Sequence, residues 1–232
     1  MEKLNGNPAY LVQPWRDCSI ANMHIYPVKT PLWVQKLIPS ALWHFPRNEN
    51  VLYLSFDDGP SPQLTPWILE TLEKWKAKAT FFCVGENINK YPQLYQEITE
   101  LGHTIGNHSY NHLNGWLTND KSYFQNIALN ASQTGSKLYR PPYGRMKPSQ
   151  IRHLKKRYQL VYWDVLSGDF DRDLSPEKCL KNILENARQG SIIVLHDNIK
   201  ADKSLKYVLP RLLQHYAEKK WEMRNIDPNY GN

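Results

Sequence analysis

Two pairs of side chains in this 232-residue sequence have types and spacing suited to hydrolysis. His108-Ser109-Tyr110-Asn111-His112 sets two imidazoles four residues apart. On a helical turn that spacing would bring both rings to one face, within reach of a single ion. Taken alone the pair is a weak signal, because such histidines are more often ordinary surface or core residues. Asp57-Asp58 strengthens it. Neighbouring carboxylates repel one another, and a divalent ion bound by one would relieve the repulsion and leave the other free as a base. A carboxylate such as Asp58 would complete a set of two histidines and one aspartate. That set leaves positions open for water and substrate, as a catalytic site requires. Gly59-Pro60 turns the chain sharply after the aspartates, and Pro62 and Pro66 stiffen the exit. An ordinary acidic turn would explain the Gly-Pro step but not the second aspartate.

The elements that would carry these groups alternate between strand-like and helix-like segments from Val51 onward. Apolar runs at Val51–Phe56, Ala79–Val84, Lys137–Arg140, Leu160–Val165 and Ser191–Leu195 read as strands, with a short extended run at His103–Gly106 and a weak last strand at Trp221–Ile226. Helices are expected from Thr65 to Trp75, Pro92 to Leu101, Asn119 to Thr134, Pro148 to Arg157, Ser175 to about Gly190 and Lys203 to Glu218. Thr65-Pro66 and Ser175-Pro176 have the form of a helix cap followed by proline in the first turn. Strand-then-helix repetition implies parallel strands with helices outside, in a doubly wound sheet or a barrel. In such folds the active site gathers at the C-terminal ends of the strands. Asp57-Asp58, His108 with His112, Arg140, Asp169 and His196-Asp197 all follow strands and so converge on one mouth. Residues 1–50 lack the alternating rhythm. Pro27, Pro31, Pro39 and Pro46 with Trp33, Leu37 and Trp43 suggest an apolar extension packed over the barrel domain of residues 51–232.

Composition sets the outer bounds. Hydrophobic residues are 41% and charged residues 22% of the chain, which is ordinary for a globular domain. The net charge of +7 would favour an acidic partner, although Lys and Arg scattered over helix faces explain it as well. No basic stretch interleaved with aromatics points to nucleic acid. Cys18, Cys83 and Cys179 match no zinc-finger spacing and cannot form a complete disulfide set; Cys83, inside an apolar run, is expected to be a buried thiol. Residues 1–17 lack the apolar core of a signal peptide and no later run is long enough to span a bilayer. The expectation is a cytoplasmic protein, whether it starts at Met1 or Met23.

At the residues singled out above the sequence resembles the polysaccharide deacetylases, which share the NodB homology domain (carbohydrate esterase family 4). The resemblance runs from about Val51 onward through five ordered motifs: Ser55-Phe56-Asp57-Asp58-Gly59-Pro60, His108 to His112, Arg140-Pro141-Pro142-Tyr143-Gly144, Trp163 to Phe170 and Leu195-His196-Asp197. It implies an α/β fold, a distorted (β/α)7 barrel, and metal-dependent hydrolysis of N-acetyl groups on amino sugars. It implies Asp57 as general base and Asp58, His108 and His112 as ligands of zinc or a similar ion such as cobalt. It further implies His196 as general acid, Arg140 as the group that orients Asp57 and holds it ionised, the Tyr143 N–H as an oxyanion donor, and Leu195 as lining for the acetyl methyl.

The fourth motif departs from the family pattern. Leu166 stands where a carboxylate normally tunes the acid histidine, and Phe170 stands in place of tryptophan. Asp164, on the same strand face as Leu166, is the candidate substitute. Without a carboxylate neighbour the pKa of His196 would fall, giving an active enzyme with an altered pH profile. Two other readings follow: a catalytically silent carbohydrate-binding protein, supported by Leu166, Phe170 and eight Trp, or a deacylase of a small cytoplasmic acylated amine or sugar precursor.

Overall fold

The computed structural model describes residues 26–230; the expectations placed on residues 1–17, on Cys18 and on Met23 lie outside the described residues. A short helix α1 (Leu32–Leu37) precedes the alternating part of the chain. There follow β1 (Val51–Asp57), α2 (Thr65–Lys74), β2 (Thr80–Cys83), α3 (Gly85–Lys90), α4 (Pro92–Glu100), β3 (Thr104–Asn107), α5 (Asp120–Thr134) and β4 (Leu138–Tyr139). After a 3-10 turn at Pro142–Gly144 come α6 (Pro148–Leu154), β5 (Gln159–Leu160), β6 (Val165–Leu166), α7 (Pro176–Asn186), β7 (Ile192–His196), α8 (Asp202–Glu218) and β8 (Glu222–Arg224). Among the described residues the strands form one sheet in the order β5-β4-β3-β2-β1-β7-β6, parallel at every step, with β8 beside the start of β1. This is the expected distorted (β/α)7 barrel. It is open between β5 and β6.

Alternation along the strands separates two apolar layers. Leu52, Leu54 and Phe56 of β1, with Ile193 and Leu195 of β7, face outward and pack with Ile68, Leu69 and Leu72 of α2 and Leu205, Val208, Leu209 and Leu212 of α8. Phe82, Leu138, Val161 and Ile192 fill the interior, where Tyr53 packs with them. Cys83 is a buried thiol, as expected, and so is Cys179.

Four local expectations are corrected. The run Leu160–Val165 is two short strands on opposite edges of the sheet, because the residues between them leave the ladder and bond to the segment before β1. Leu42 donates its N–H to the Leu160 carbonyl and accepts from the Tyr162 N–H, each at 2.8 Å. Thr30 N–H reaches the Asp164 carbonyl at 3.0 Å, and Leu166 N–H the Val28 carbonyl at 2.8 Å. Five of the six residues are apolar and the sixth, Asp164, is buried with them, so hydrophobic pattern alone shows no break. Helix α3 was not expected; its six residues carry one buried apolar side chain, Ile88. Thr65 is the first residue of α2 rather than its cap, because its hydroxyl is committed to Asp197 at 2.5 Å. His108–His112 is an irregular loop and not a helical turn, with Ser109 and His112 at φ 61° and 56°.

Leu54, fully buried in the middle of β1, tests the outer layer. Leu54→Ala is expected to lower unfolding stability by about 2–5 kcal/mol, read from a urea titration.

Candidate active site

The loop after β1 begins with Asp58 at φ 77°, a strained conformation for a residue bearing a Cβ. Local bonds hold it there. Asn87 donates to the Asp58 carbonyl at 2.7 Å and Asn198 donates to Asp58 Oδ2. The other oxygen, Oδ1, stands 3.1 Å from His112 Nε2 and 3.6 Å from His108 Nε2. Asp197 secures the rest of the loop, accepting from Ser61 Oγ at 2.7 Å and from Thr65 Oγ1. A Cβ on residue 59 would meet Asp197 Oδ2 at 2.2 Å, so only glycine fits there.

Asparagines shape the histidine loop. Asn107 Oδ1 accepts from the Ser109 N–H at 2.8 Å, and Asn126 Oδ1 accepts from the N–H groups of Tyr110 and Asn111. Asn130 Nδ2 bonds the carbonyls of Cys83 and Ser109. Two left-handed residues then bend the loop so that both rings meet Asp58. His108 Nδ1 lies 2.8 Å from the Arg140 carbonyl, which can only accept, so the proton sits on Nδ1 and the Nε2 lone pair faces Asp58. Burial, partly offset by Asp57 and Asp58, lowers the His108 pKa to about 4. It is therefore neutral near pH 7, as a metal ligand must be.

The ligand atoms of Asp58, His108 and His112 lie within 4.8 Å of one another. Ligands about 2.0–2.2 Å from a tetrahedral ion stand about 3.3–3.6 Å apart, so the observed spacings suit one divalent ion. Burial pushes the Asp58 carboxyl up, but the His112 hydrogen bond and the charges of His196, His108 and His112 hold it well below the ordinary range. The group is an anion with two imidazoles turned toward it.

Asp57 lies behind this cluster, facing the interior. Its Oδ1 accepts from Arg140 Nη1 at 2.7 Å. Arg140, fully buried, also donates to Ser55 Oγ at 2.8 Å, to the Tyr162 carbonyl at 3.1 Å and to the Val161 carbonyl at 3.3 Å. Its guanidinium carbon stacks 4.0 Å from the Phe82 ring centre. Across the ladder Asp57 is register-paired with His196 on β7.

The expectation that His196 lacks a carboxylate neighbour is overturned. Asp169 Oδ1 stands 2.8 Å from His196 Nδ1, and Oδ2 accepts the His196 N–H at 2.7 Å. Ser167 Oγ fixes Asp169 at 2.9 Å. Burial alone would lower the His196 pKa; the charge and hydrogen bond of Asp169, aided by Asp58 and Asp57, instead raise it to about 9. Leu166 is thus not the missing tuning position, since Asp169 fills that role three residues later. Asp164 is not the substitute, because Arg47 at 2.9 Å, Ser191 at 2.5 Å and Lys29 at 3.6 Å engage it. Phe170 packs edge-on against the His196 ring at 4.9 Å.

Tyr143 lies at the mouth, 60% exposed and with φ 60°, its ring against His112 at 4.7 Å. Leu195 does not join the cluster. It faces outward into the helix-packed layer, and its neighbour Val194 shares the inward face with Ile192 and His196. Sequence reasoning missed Asn87, Asn107, Asn126, Asn130 and Asn198, whose signal was a set of asparagines beside or between the motifs.

The family model described as polysaccharide deacetylase matches residues 45–163. A peptidoglycan-N-acetylglucosamine deacetylase of Bacillus cereus is 34% identical over 67% of this chain and 76% of its own length. A chitooligosaccharide deacetylase of Azorhizobium caulinodans is 31% identical over 72% of this chain and 90% of its own. Among solved structures, a peptidoglycan N-acetylglucosamine deacetylase in complex with 4-naphthalen-1-yl-N-oxidanyl-benzamide superposes with a TM-score of 0.77 at 30% identity, covering 85% of this chain and 95% of that one.

Two variants test the geometry. His112→Ala removes one of three candidate ligand atoms and is expected to lower bound metal about tenfold or more, measured by elemental analysis after dialysis against a weak chelator. Asp169→Asn removes the main group raising the His196 pKa. With a pKa of about 9, His196 stays protonated at pH 7, as a general acid would have to be, and loses its proton as pH rises through that value. Without Asp169 burial prevails, so the alkaline limb of the kcat/KM profile should move to lower pH.

Proposed function

This chain belongs to the polysaccharide deacetylase family, and from that membership and the geometry of its site we propose that it hydrolyses N-acetyl groups of amino sugars in polysaccharide or oligosaccharide substrates. The observation that carries this reading is the pairing of Asp57 and His196 on adjacent parallel strands, beside the Asp58, His108 and His112 cluster. A base, an acid and a metal-ligand set are thereby gathered at one mouth. Residues 51–232 would form the catalytic domain, with residues 1–50 as its extension.

Two imidazoles and one carboxylate form a donor set that suits zinc, with cobalt as the alternative. A divalent ion held there supplies Lewis acidity, acidifying a water and drawing charge from the amide carbonyl. Asp57 removes the proton from the attacking water, and Arg140 holds the carboxylate in place and balances its charge. The Tyr143 N–H, in the turn beside His112, would donate to the oxygen that gains charge. An amine leaves poorly as an anion, so His196 Nε2, whose partner nitrogen is held by Asp169, gives its proton to the departing nitrogen. Val194 is the better candidate than Leu195 to line the acetyl methyl, because it faces inward.

Retention of Asp57, His196 and all three ligand groups argues against a silent carbohydrate-binding protein. The test is acetate release from N-acetylated chito-oligosaccharides and peptidoglycan fragments by zinc- or cobalt-loaded protein, beside a chelated control. Metal-dependent release is expected; metal-loaded protein that releases none from any amino sugar would contradict the reading. Of the described helices, none is long and apolar enough to cross a membrane. Turnover of small soluble amino sugars alone would favour the cytoplasmic setting, and turnover of polymer alone would count against it. Asp57→Asn is expected to keep its metal and lose at least about 10²-fold in kcat, as removal of a general base does.

A further inference from the structure

The segment before α1 reaches the catalytic mouth. Thr30 N–H bonds the Asp164 carbonyl at 3.0 Å, Lys29 and Val165 form an antiparallel bridge, and Leu166 N–H bonds the Val28 carbonyl at 2.8 Å. The segment thus runs antiparallel along β6, stepping back one residue for each residue the strand advances. Two residues beyond Val28 that register places Tyr26 opposite Gly168, at the C-terminal end of β6 where the site lies. The two do meet there. Gly168 has φ 82°, and a Cβ on it would stand 2.7 Å from the Tyr26 hydroxyl oxygen, so glycine lets the segment close onto this turn.

Tyr26, half-buried, touches the surroundings of His196 in two places. Its hydroxyl donates to Asp171 Oδ2 at 3.0 Å, and its ring centre lies 5.1 Å from that of Phe170. Asp171 closes the turn that begins at Gly168, donating its N–H to the Gly168 carbonyl at 3.0 Å. Inside that turn are Asp169, whose two oxygens engage His196, and Phe170, edge-on to the same ring. Ser167 and Asn182 fix the near end: Ser167 Oγ bonds Asp169 at 2.9 Å, and Asn182 Nδ2 bonds the Ser167 carbonyl at 3.0 Å. Tyr26 acts at the far end. Burial, and then the hydrogen bond to Asp171, pushes the Tyr26 hydroxyl well above its ordinary pKa, so it stays a donor at neutral pH.

We propose that Tyr26 is a positioning residue for the proposed general acid, bracing the turn from Gly168 to Asp171 so that Asp169 and Phe170 hold the His196 ring in place. The segment before α1 is then part of the catalytic apparatus rather than a cover laid over a self-sufficient barrel. This inference rests on the deacetylase reading and assigns its acid a support from outside residues 51–232. Tyr26 acts through the turn and not on substrate, so its contribution belongs to the step in which His196 gives up its proton.

The test is Tyr26→Phe in the full chain, which keeps the ring against Phe170 and removes the bond to Asp171. The kcat on an N-acetylated chito-oligosaccharide should fall about fivefold, the factor one hydrogen bond is worth, at unchanged KM and bound metal. Hydrolysis of 4-nitrophenyl acetate by the same sample should be unaffected, because its phenolate leaves without needing a proton. In an Asp169→Asn background Tyr26→Phe should cost nothing further, since residues that act through one another are not additive. An unchanged kcat on the amide, an equal fall on the ester, or the full fall repeated in the Asp169→Asn background would overturn the inference while leaving the deacetylase reading standing. A parent protein inactive on every amino sugar would contradict that reading, and the inference with it.

Discussion

The site depends on one buried residue. Arg140 meets Asp57 through its guanidinium at 2.7 Å and His108 through its main-chain carbonyl at 2.8 Å. A single position therefore sets the orientation of the proposed base and the tautomer of a proposed metal ligand. Burying a guanidinium is costly unless it is paired and hydrogen-bonded. Asp57, Ser55 and the carbonyls of Val161 and Tyr162 meet that demand, and Phe82 lies against the flat face. Removing one partner of such a buried pair typically costs about 3–5 kcal/mol, so the catalytic geometry and the stability of the interior are coupled.

The opening between β5 and β6 follows from the same arrangement. The carbonyls of Val161 and Tyr162 can turn to Arg140 because residues 161–164 do not continue a regular strand. Leu42 and Thr30 supply main-chain partners along this segment, and Arg47 and Lys29 balance Asp164. On the other edge, the chain leaving β6 brings Ser167 and Asp169 under His196. The proposed base is thus served from one side of the gap and the proposed acid from the other.

Much of this was legible in the sequence. The strand-helix alternation gave parallel strands with helices outside, the resemblance gave the barrel, and chemistry placed after strands gave Asp57, Asp58, His108, His112, Arg140 and His196, which the structure brings together. What was hidden depends on backbone detail. Leu160 to Val165 looks like one strand because five of its six residues are apolar and the sixth, Asp164, is buried with them. The two histidines meet one aspartate through left-handed residues at 109 and 112, which no periodicity reveals. In the sequence Leu166 reads as a lost carboxylate, because the loop's path, which returns Asp169 to the ring, is set by tertiary contacts. The resemblance implies Leu195 as pocket lining, but β7 turns that side chain outward and Val194 inward. The asparagines at 87, 107, 126, 130 and 198 act through main-chain bonds in loops, so their composition alone did not mark them.

The central claim is that the Arg140 fork, beyond its charge, positions Asp57 for catalysis. Arg140→Lys keeps a cation in the interior and loses the planar set of donors. The most direct measurement is kcat of this variant on an N-acetylated chito-oligosaccharide, with bound metal determined on the same sample. A fall in kcat of at least about tenfold at undiminished metal content is predicted. Wild-type kcat in a folded, metal-loaded Arg140→Lys protein would contradict the account.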